Sequence, residues 1–416
     1  MNKIIQHSLL SLFFLWTCAA NAQTDSLKNT VEANYRDGLP NFFNKIRKSK
    51  KVKVAYLGGS ITRADKGWRV QTFNWLQQEF PNAQFEQIMA AIGGTGSDFG
   101  AYRLKNHVLQ YNPDLVFVEF AVNDHSKTSQ QVKESVEGIV RQIWKANPKT
   151  DICFVYTFQK VQLPFYLEEK FPVSATAMET IADYYQVPSI CMALPVIKMI
   201  EEGKMLIQGK SKDYPDKIVF SEDGVHPFAE TGHKIYAETV KKHFKSLQPV
   251  GKLGKHTLKP ALMPNNLQKV EMVLVDKIEK SQGWQLVDSV VLNKPFASLM
   301  PPVYASTDTT DFIKINFKGN RLGLVDIIGP SSGQIVVSID NAPPRYINRF
   351  DEYCTYYRMN YSLISGLSEG KHTAIIKVSP KKLDKATILS KRNYTIKNPQ
   401  IFAKQALYIG AILTEK

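Results

Sequence analysis

The chain has 416 residues, is 44% hydrophobic and 22% charged, and carries a formal net charge of +15. That length supports two or three domains with cores of their own, and the composition excludes disordered and fibrous architectures. The charge is uneven: residues 251–416 hold 23 Lys and Arg against 13 Asp and Glu, a net of +10. In an exported protein such an excess favours an anionic surface or acidic polymer over nucleic acid, with general solubility charge as the alternative.

Residues 1–22 read as a secretory signal. Lys3 gives the positive start, Leu9 to Trp16 the apolar run, and Ala20-Asn21-Ala22 the small-residue cleavage site before Gln23. A periplasmic or extracellular protein is expected, with lipoprotein anchoring at Cys18 as the alternative. The apolar run is too short to span a bilayer, and no later stretch qualifies, so no integral membrane segment is expected. Cleavage leaves Cys153, Cys191 and Cys354. Three cysteines without a CxxC do not form a disulfide framework or a zinc site; Cys153 and Cys191 read as small buried hydrophobes.

Residues 23–40 read as a polar leader into a first domain over 35–247. From residue 52 strands and helices alternate. The apolar run 52–57 stops at Gly58-Gly59-Ser60 and is followed by a helix with Val70, Phe73, Leu76 and Phe80 on one face. A second strand over 84–90 ends at Gly93-Gly94-Thr95-Gly96-Ser97, where Ser97 reads as a helix cap. The third, 114–121, ends at Asn123-Asp124-His125. A helix through Val132, Val136, Ile139 and Ile143 leads to a fourth strand, 152–157, and a helix around Met178–Tyr185 to a fifth, 187–192. A last helix covers about 229–244. This rhythm predicts a parallel sheet covered on both faces.

Residues 248–270, with Gly251, Gly254, Pro260 and Pro264 among lysines, read as a linker. Beyond it the helical rhythm stops. Alternating runs at 312–317, 334–340, 373–378 and 406–409, separated by Gly and Asn turns, predict an antiparallel β-sandwich over 271–416. The lysine-rich stretch 380–397 reads as a long surface loop.

Every carboxyl end of a parallel sheet lies on one edge, and that edge collects Ser60, the Gly94 loop and Asn123. Asp223-Gly224-Val225-His226 arrives just before the last helix. The chemistry of these residue types is complementary. A serine hydroxyl needs an adjacent base to become nucleophilic. His226 can take that proton and return it to the leaving group. Asp223 can hold the imidazole tautomer. The Ser60 and Gly94 N–H groups and the Asn123 amide can receive an oxyanion. Gly93 competes with Gly94 for the donor position. Arg63, Trp68 and His125 lie close enough in sequence to line the substrate cleft; for Trp68 the alternative is the core, and for His125 a solvent-exposed turn. His107 and His233 read as surface or packing residues within helices.

The four blocks Gly59-Ser60-Ile61-Thr62, Gly93-Gly94-Thr95-Gly96, Val122-Asn123-Asp124 and Asp223-Gly224-Val225-His226 resemble those of the SGNH (GDSL-type) hydrolases, in order, over about 50–245. Ala121 stands where that family usually has glycine. The resemblance implies a flavodoxin-like three-layer α/β/α domain and a serine esterase of the carbohydrate acetylesterase kind. It implies no metal and no organic cofactor. The C-terminal part resembles the jelly-roll-like accessory sandwiches of bacterial carbohydrate esterases, and Tyr353, Tyr356, Tyr357 and Tyr361 are candidates for stacking on sugars or for its core. The expected partner is an acetylated polysaccharide or oligosaccharide, with an acidic one favoured by the charge. A lipid esterase or thioesterase, and a non-catalytic glycan-binding protein on a hydrolase scaffold, are the alternatives. The oligomeric state and the glycan are left open.

Overall fold

The structure is a computed structural model that describes residues 29–48, 50–288, 292, 299–364 and 366–415. The segment 1–22 read as a secretory signal, with Cys18, lies outside the described residues. The first sheet holds β1 (Ala33–Asn34), β2 (Lys51–Gly58), β3 (Gln84–Ala91), β4 (Leu115–Glu119), β5 (Asp151–Tyr156) and β6 (Ser189–Cys191) in the order β1-β6-β5-β4-β2-β3. β2 to β6 are parallel, as the sequence predicts. β1 adds an antiparallel edge that it does not. The order steps from β2 outward to β3 and then back across to β4. The end of β2 is therefore the topological switch point, where ligands of open α/β sheets bind.

Helices α1 (Pro40–Arg47), α2 (Ser60–Arg63), α3 (Trp68–Glu79), α4 (Ser97–His107), α5 (Ser129–Ala146), α6 (Leu163–Leu167), α7 (Val173–Tyr185), α8 (Ala193–Glu201) and α9 (Gly232–Leu247) cover the sheet's faces and edges. β2 from residue 54 on, β4 and β5 are buried on both sides, which explains their apolar stretches 54–57, 115–118 and 152–156. Cys153 and Cys191 lie in this core as free thiols, and Cys354 is free and buried in the second domain. A separate parallel pair, β7 (Met205–Gln208) and β8 (Ile218–Ser221), stands off the main sheet.

The segment read as a linker is bound along the first domain. His256 stacks on Trp144 with ring centroids 4.7 Å apart and lies 2.8 Å from Asp151. The buried Glu137 carboxylate accepts the N–H groups of Leu262 and Met263 at 2.6 Å. Leu267 packs so closely on α5 that Gly138 has no room for a side chain.

The second domain is two antiparallel sheets. β10 (Glu279–Lys280), β13 (Phe312–Lys318), β18 (Lys371–Val378), β15 (Gln334–Ile339) and β16 (Arg345–Asn348) form the outer one. The inner one is β11 (Gln285–Val287), β12 (Val303–Ser306), β19 (Leu407–Glu415), β14 (Leu322–Ile328) and β17 (Arg358–Ile364), with β9 (Val270–Leu274) on β19. The inner sheet is covered on both faces. Leu322, Leu324, Ile409 and Ile412 pack against the outer sheet, while Val325, Ile327, Ala411 and Leu413 join the core of the first domain. The two domains thus share one apolar core, and β14 is buried along its whole length. Among the described residues no helix is long and apolar enough to cross a membrane.

Two readings of loop chemistry change. The stretch 380–397 contains a short helix, Lys385–Ser390, capped by Asp384. Lys385 is buried, its ammonium donating to the Pro330 and Lys404 carbonyls, and burial lowers its pKa to about 8. Ser97 is not a helix cap: Gly96 holds that position without a side-chain bond, and the Ser97 N–H donates to Asp124.

Candidate active site

β2 delivers the chain to Gly59, whose extended backbone caps α2, and Ser60 is the first residue of that helix. The Ser60 Oγ lies 2.8 Å from His226 Nε2. On the far side of the ring, His226 Nδ1 lies 2.6 Å from Asp223 Oδ2. A carboxylate can only accept, so Nδ1 carries the proton and Nε2 is free to accept from the serine. The other Asp223 oxygen accepts the N–H groups of Val225 and His226, each at 2.8 Å. Burial raises the Asp223 pKa, but the bonds from the His226 ring and from the His226 and Val225 N–H groups outweigh it and hold the carboxyl below its ordinary value.

Asp223 and His226 come to Ser60 at the end of β2 from outside the main sheet. They follow β8 of the small parallel pair. Gly224, at φ +83°, makes the turn between them. Its N–H donates to Ser221 Oγ at 2.7 Å, and its carbonyl accepts from the Lys160 N–H at 2.8 Å, tying the turn to the loop after β5.

The Gly94 and Asn123 loops also approach the turn that carries Ser60. Gly94 has φ +70°, a conformation that favours glycine, and is exposed. Gly93 lies nearer the nucleophile: a Cβ there would be 3.4 Å from Ser60 Cβ. A Cβ on Gly59 would fall 1.9 Å from Asn123 Oδ1, so the second glycine before the serine makes room for the Asn123 amide. Ala121 has no positive φ, and its carbonyl accepts from Ser174 and Gln162. Alanine therefore fits where the family resemblance led to an expectation of glycine.

Of the cleft-lining candidates, Arg63 ends α2 and is half-buried, and His125 is exposed on the turn after Asn123 with Nδ1 3.0 Å from the Val122 carbonyl. Trp68, expected at the cleft or in the core, is in the core. It is 0% exposed and packs edge-on against Tyr56 and Phe117 in the core, so it does not line the cleft. His107 and His233 are both buried. Among the described residues no group of His, Cys, Asp and Glu is arranged to hold a metal ion.

Several polar residues that support the site were not singled out from the sequence. Glu119, at the end of β4, is wholly buried and accepts from Thr62 and Thr157, each at 2.8 Å. Burial raises its pKa against those bonds and one from the Gly59 N–H. It thereby ties the backbone and helix around Ser60 to β4 and β5. Arg103 of α4 is also wholly buried and donates to the Ala90 and Gly58 carbonyls at the ends of β3 and β2. Behind the two loops, Lys127 lies 2.6 Å from Asp98 and 2.9 Å from the buried Asp124. An acid inside the apolar run 115–120 was a visible signal for Glu119. Arg103 and Lys127 carry no comparable mark.

Comparison with known proteins shows what the chain is similar to. Residues 56–232 match the model of the GDSL-like Lipase/Acylhydrolase family. Platelet-activating factor acetylhydrolase IB subunit alpha1 of Rattus norvegicus is 26% identical over 124 residues, 30% of this chain and 50% of that protein; the Mus musculus protein matches equally. The chain thus spans about half the length of the curated relatives it matches. A solved two-domain esterase active on acetylated mannans, co-crystallised with mannopentaose, shares the fold across both domains. Its TM-score is 0.71 at 17% identity, over 92% of this chain and 97% of that one.

Proposed function

We propose that the protein is an exported serine esterase that removes acetyl groups from a polysaccharide or oligosaccharide, on the premise that residues 56–232 match the GDSL-like lipase/acylhydrolase family model. The observation that carries the reading is the unbroken chain Ser60–His226–Asp223, at 2.8 and 2.6 Å. Ser60 Oγ attacks the ester carbonyl while its proton passes to His226 Nε2. The oxyanion is received by the N–H groups of Ser60 and Gly94 and by the Asn123 amide. Collapse expels the sugar oxygen, which takes the proton from His226. Water, deprotonated by His226, then attacks the acyl-enzyme and releases acetate and free Ser60.

The acetyl group is favoured because an acetylhydrolase and an esterase of acetylated mannans are both among the similar proteins. A glycan alcohol is favoured by the two-domain fold shared with the mannan esterase, and the basic second domain supports an acidic glycan. The test is acetate release from a panel of acetylated neutral and acidic polysaccharides, alongside p-nitrophenyl esters of increasing chain length. Wild-type protein should release acetate, should prefer the acetyl ester, and should be labelled at Ser60 by a fluorophosphonate. Ser60→Ala should lose all three properties. A Ser60→Ala variant with wild-type turnover ends the proposal, and a preference for long acyl chains moves the substrate to lipids.

A further inference from the structure

One side chain of the second domain reaches into the polar cluster behind the two loops of the site. Tyr361 lies on β17, and its ring stacks on Phe99 of α4, with centroids 4.7 Å apart and planes at 12°. Its hydroxyl donates to Asp98 Oδ1 at 2.9 Å. That same oxygen lies 2.6 Å from the Lys127 ammonium, which in turn lies 2.9 Å from Asp124 Oδ1. Asp124 accepts the Ser97 N–H at 3.1 Å. The cluster is drawn tight over Gly96, where a Cβ would come within 2.3 Å of both Asp124 Oδ1 and Lys127 Nζ. Ser97 and Asp98 follow Gly94 after Thr95 and Gly96, and Asp124 and Lys127 follow Asn123. The cluster therefore joins the two loops that carry the candidate oxyanion donors, and Tyr361 closes it from outside the first domain.

We propose that Tyr361 is a positioning residue for the oxyanion hole: by holding Asp98 it fixes the Asp98–Lys127–Asp124 bridge between the Gly94 and Asn123 loops. The second domain thus contributes to turnover of an ester too small to touch it. This rests on the esterase reading for its kinetic consequence only. Oxyanion stabilisation depends on donors held in place before the charge develops, so loosening the loops lowers the rate without weakening ground-state binding.

Tyr361→Phe keeps the ring on Phe99 and removes only the hydroxyl. Two measurements follow. Amide hydrogen exchange over 93–98 and 122–127 should speed up in the variant while the rest of the first domain keeps its protection. With p-nitrophenyl acetate, kcat should fall about tenfold with KM unchanged within about twofold, the pattern of a lost transition-state interaction. Asp98→Asn, which keeps the tyrosine's acceptor but removes the charge that holds Lys127, should give the same split. Adding Tyr361→Phe to it should cost less than the sum of the two single effects. Unchanged exchange overturns the proposal, and so does faster exchange with wild-type kcat. If the wild-type protein turns over no ester, the esterase reading falls, and the exchange result alone decides the bridge.

Discussion

The two halves of the site are built in opposite ways. The acid–base half, Asp223 and His226, stands in solvent: the side chains are 52% and 53% exposed. It is also local, since Asp223 takes its N–H donors from residues two and three positions on. The oxyanion half rests on groups withdrawn from water. Asp124 is 0% exposed, Arg103 and Glu119 are wholly buried, and a tyrosine from another domain completes the cluster. The difference fits the two tasks proposed for them. Proton transfer needs an imidazole that water can reach for deacylation, and a turn of four residues suffices to hold its tautomer. Oxyanion stabilisation needs backbone donors fixed in advance, which a mobile surface loop cannot provide.

The energetic consequence is testable. An exposed ion pair contributes about 0.2–1 kcal/mol, whereas breaking a buried one costs about 3–5 kcal/mol because a charge is left without a partner. The largest stability effect is therefore expected for Lys127→Met, which strands Asp124 and Asp98. Urea unfolding should show a loss of about 3–5 kcal/mol. A loss under about 1 kcal/mol would mean that Asp124 carries its proton without Lys127, in line with the upward pull of burial on its pKa. Next in size is Asn123→Ala. It should lower kcat on p-nitrophenyl acetate by about 10²–10³, or about 2.7–4 kcal/mol, with the unfolding midpoint nearly unchanged. An unchanged rate would remove Asn123 from the oxyanion hole.

The same contrast decided what could be read in advance. The contact within the exposed half was legible because its parts are neighbours: Asp223 and His226 stand three apart on one turn. The sheet was legible for a similar reason, since an apolar β-branched run broken by glycine has few structural meanings. The support behind the loops was not. Tyr361 and Asp98 are 263 positions apart, and no local pattern relates them. Trp68 shows the limit for a single side chain, because helical spacing does not tell whether an aromatic ring beside a nucleophile turns to the cleft or to the core. α1 was missed although its signals were present, with Pro40 at the first turn and Phe42, Phe43 and Ile46 on one face. The segment 248–266 lacks periodicity because it packs by single contacts, such as His256 on Trp144, rather than as a regular element.

A smaller effect is expected from acid. His233 is buried beneath the acid–base half, and its Nδ1 accepts the Trp68 N–H at 3.2 Å. Burial first, and the nearby His226 second, pull its pKa down to about 4. An unfolded histidine titrates near 6.5. Between those values the unfolded chain binds a proton that the folded chain refuses. Stability from this residue is thus complete above about pH 6.5 and declines as pH falls toward 4, by at most about 1.4 kcal/mol per unit. Thermal melts across that window should show the decline, and His233→Gln should flatten it in part, because His107 is lowered to about 3 by burial and by Arg103 and contributes in the same direction.

The smallest stability effect should come from Asp223 itself. Its folded pKa is depressed, so its contribution is present above the unfolded value, about 3.9, and is lost as pH falls through the lower folded one. Half exposure screens that contribution, and it should stay under about 1 kcal/mol. Asp223→Asn should therefore leave the urea midpoint at pH 7 almost where it was, even as it disturbs the imidazole tautomer on which turnover depends. A loss as large as that of Lys127→Met would show that the turn carrying Asp223 and His226 is held by charge, as the buried cluster is, and the two halves of the site would no longer differ in kind.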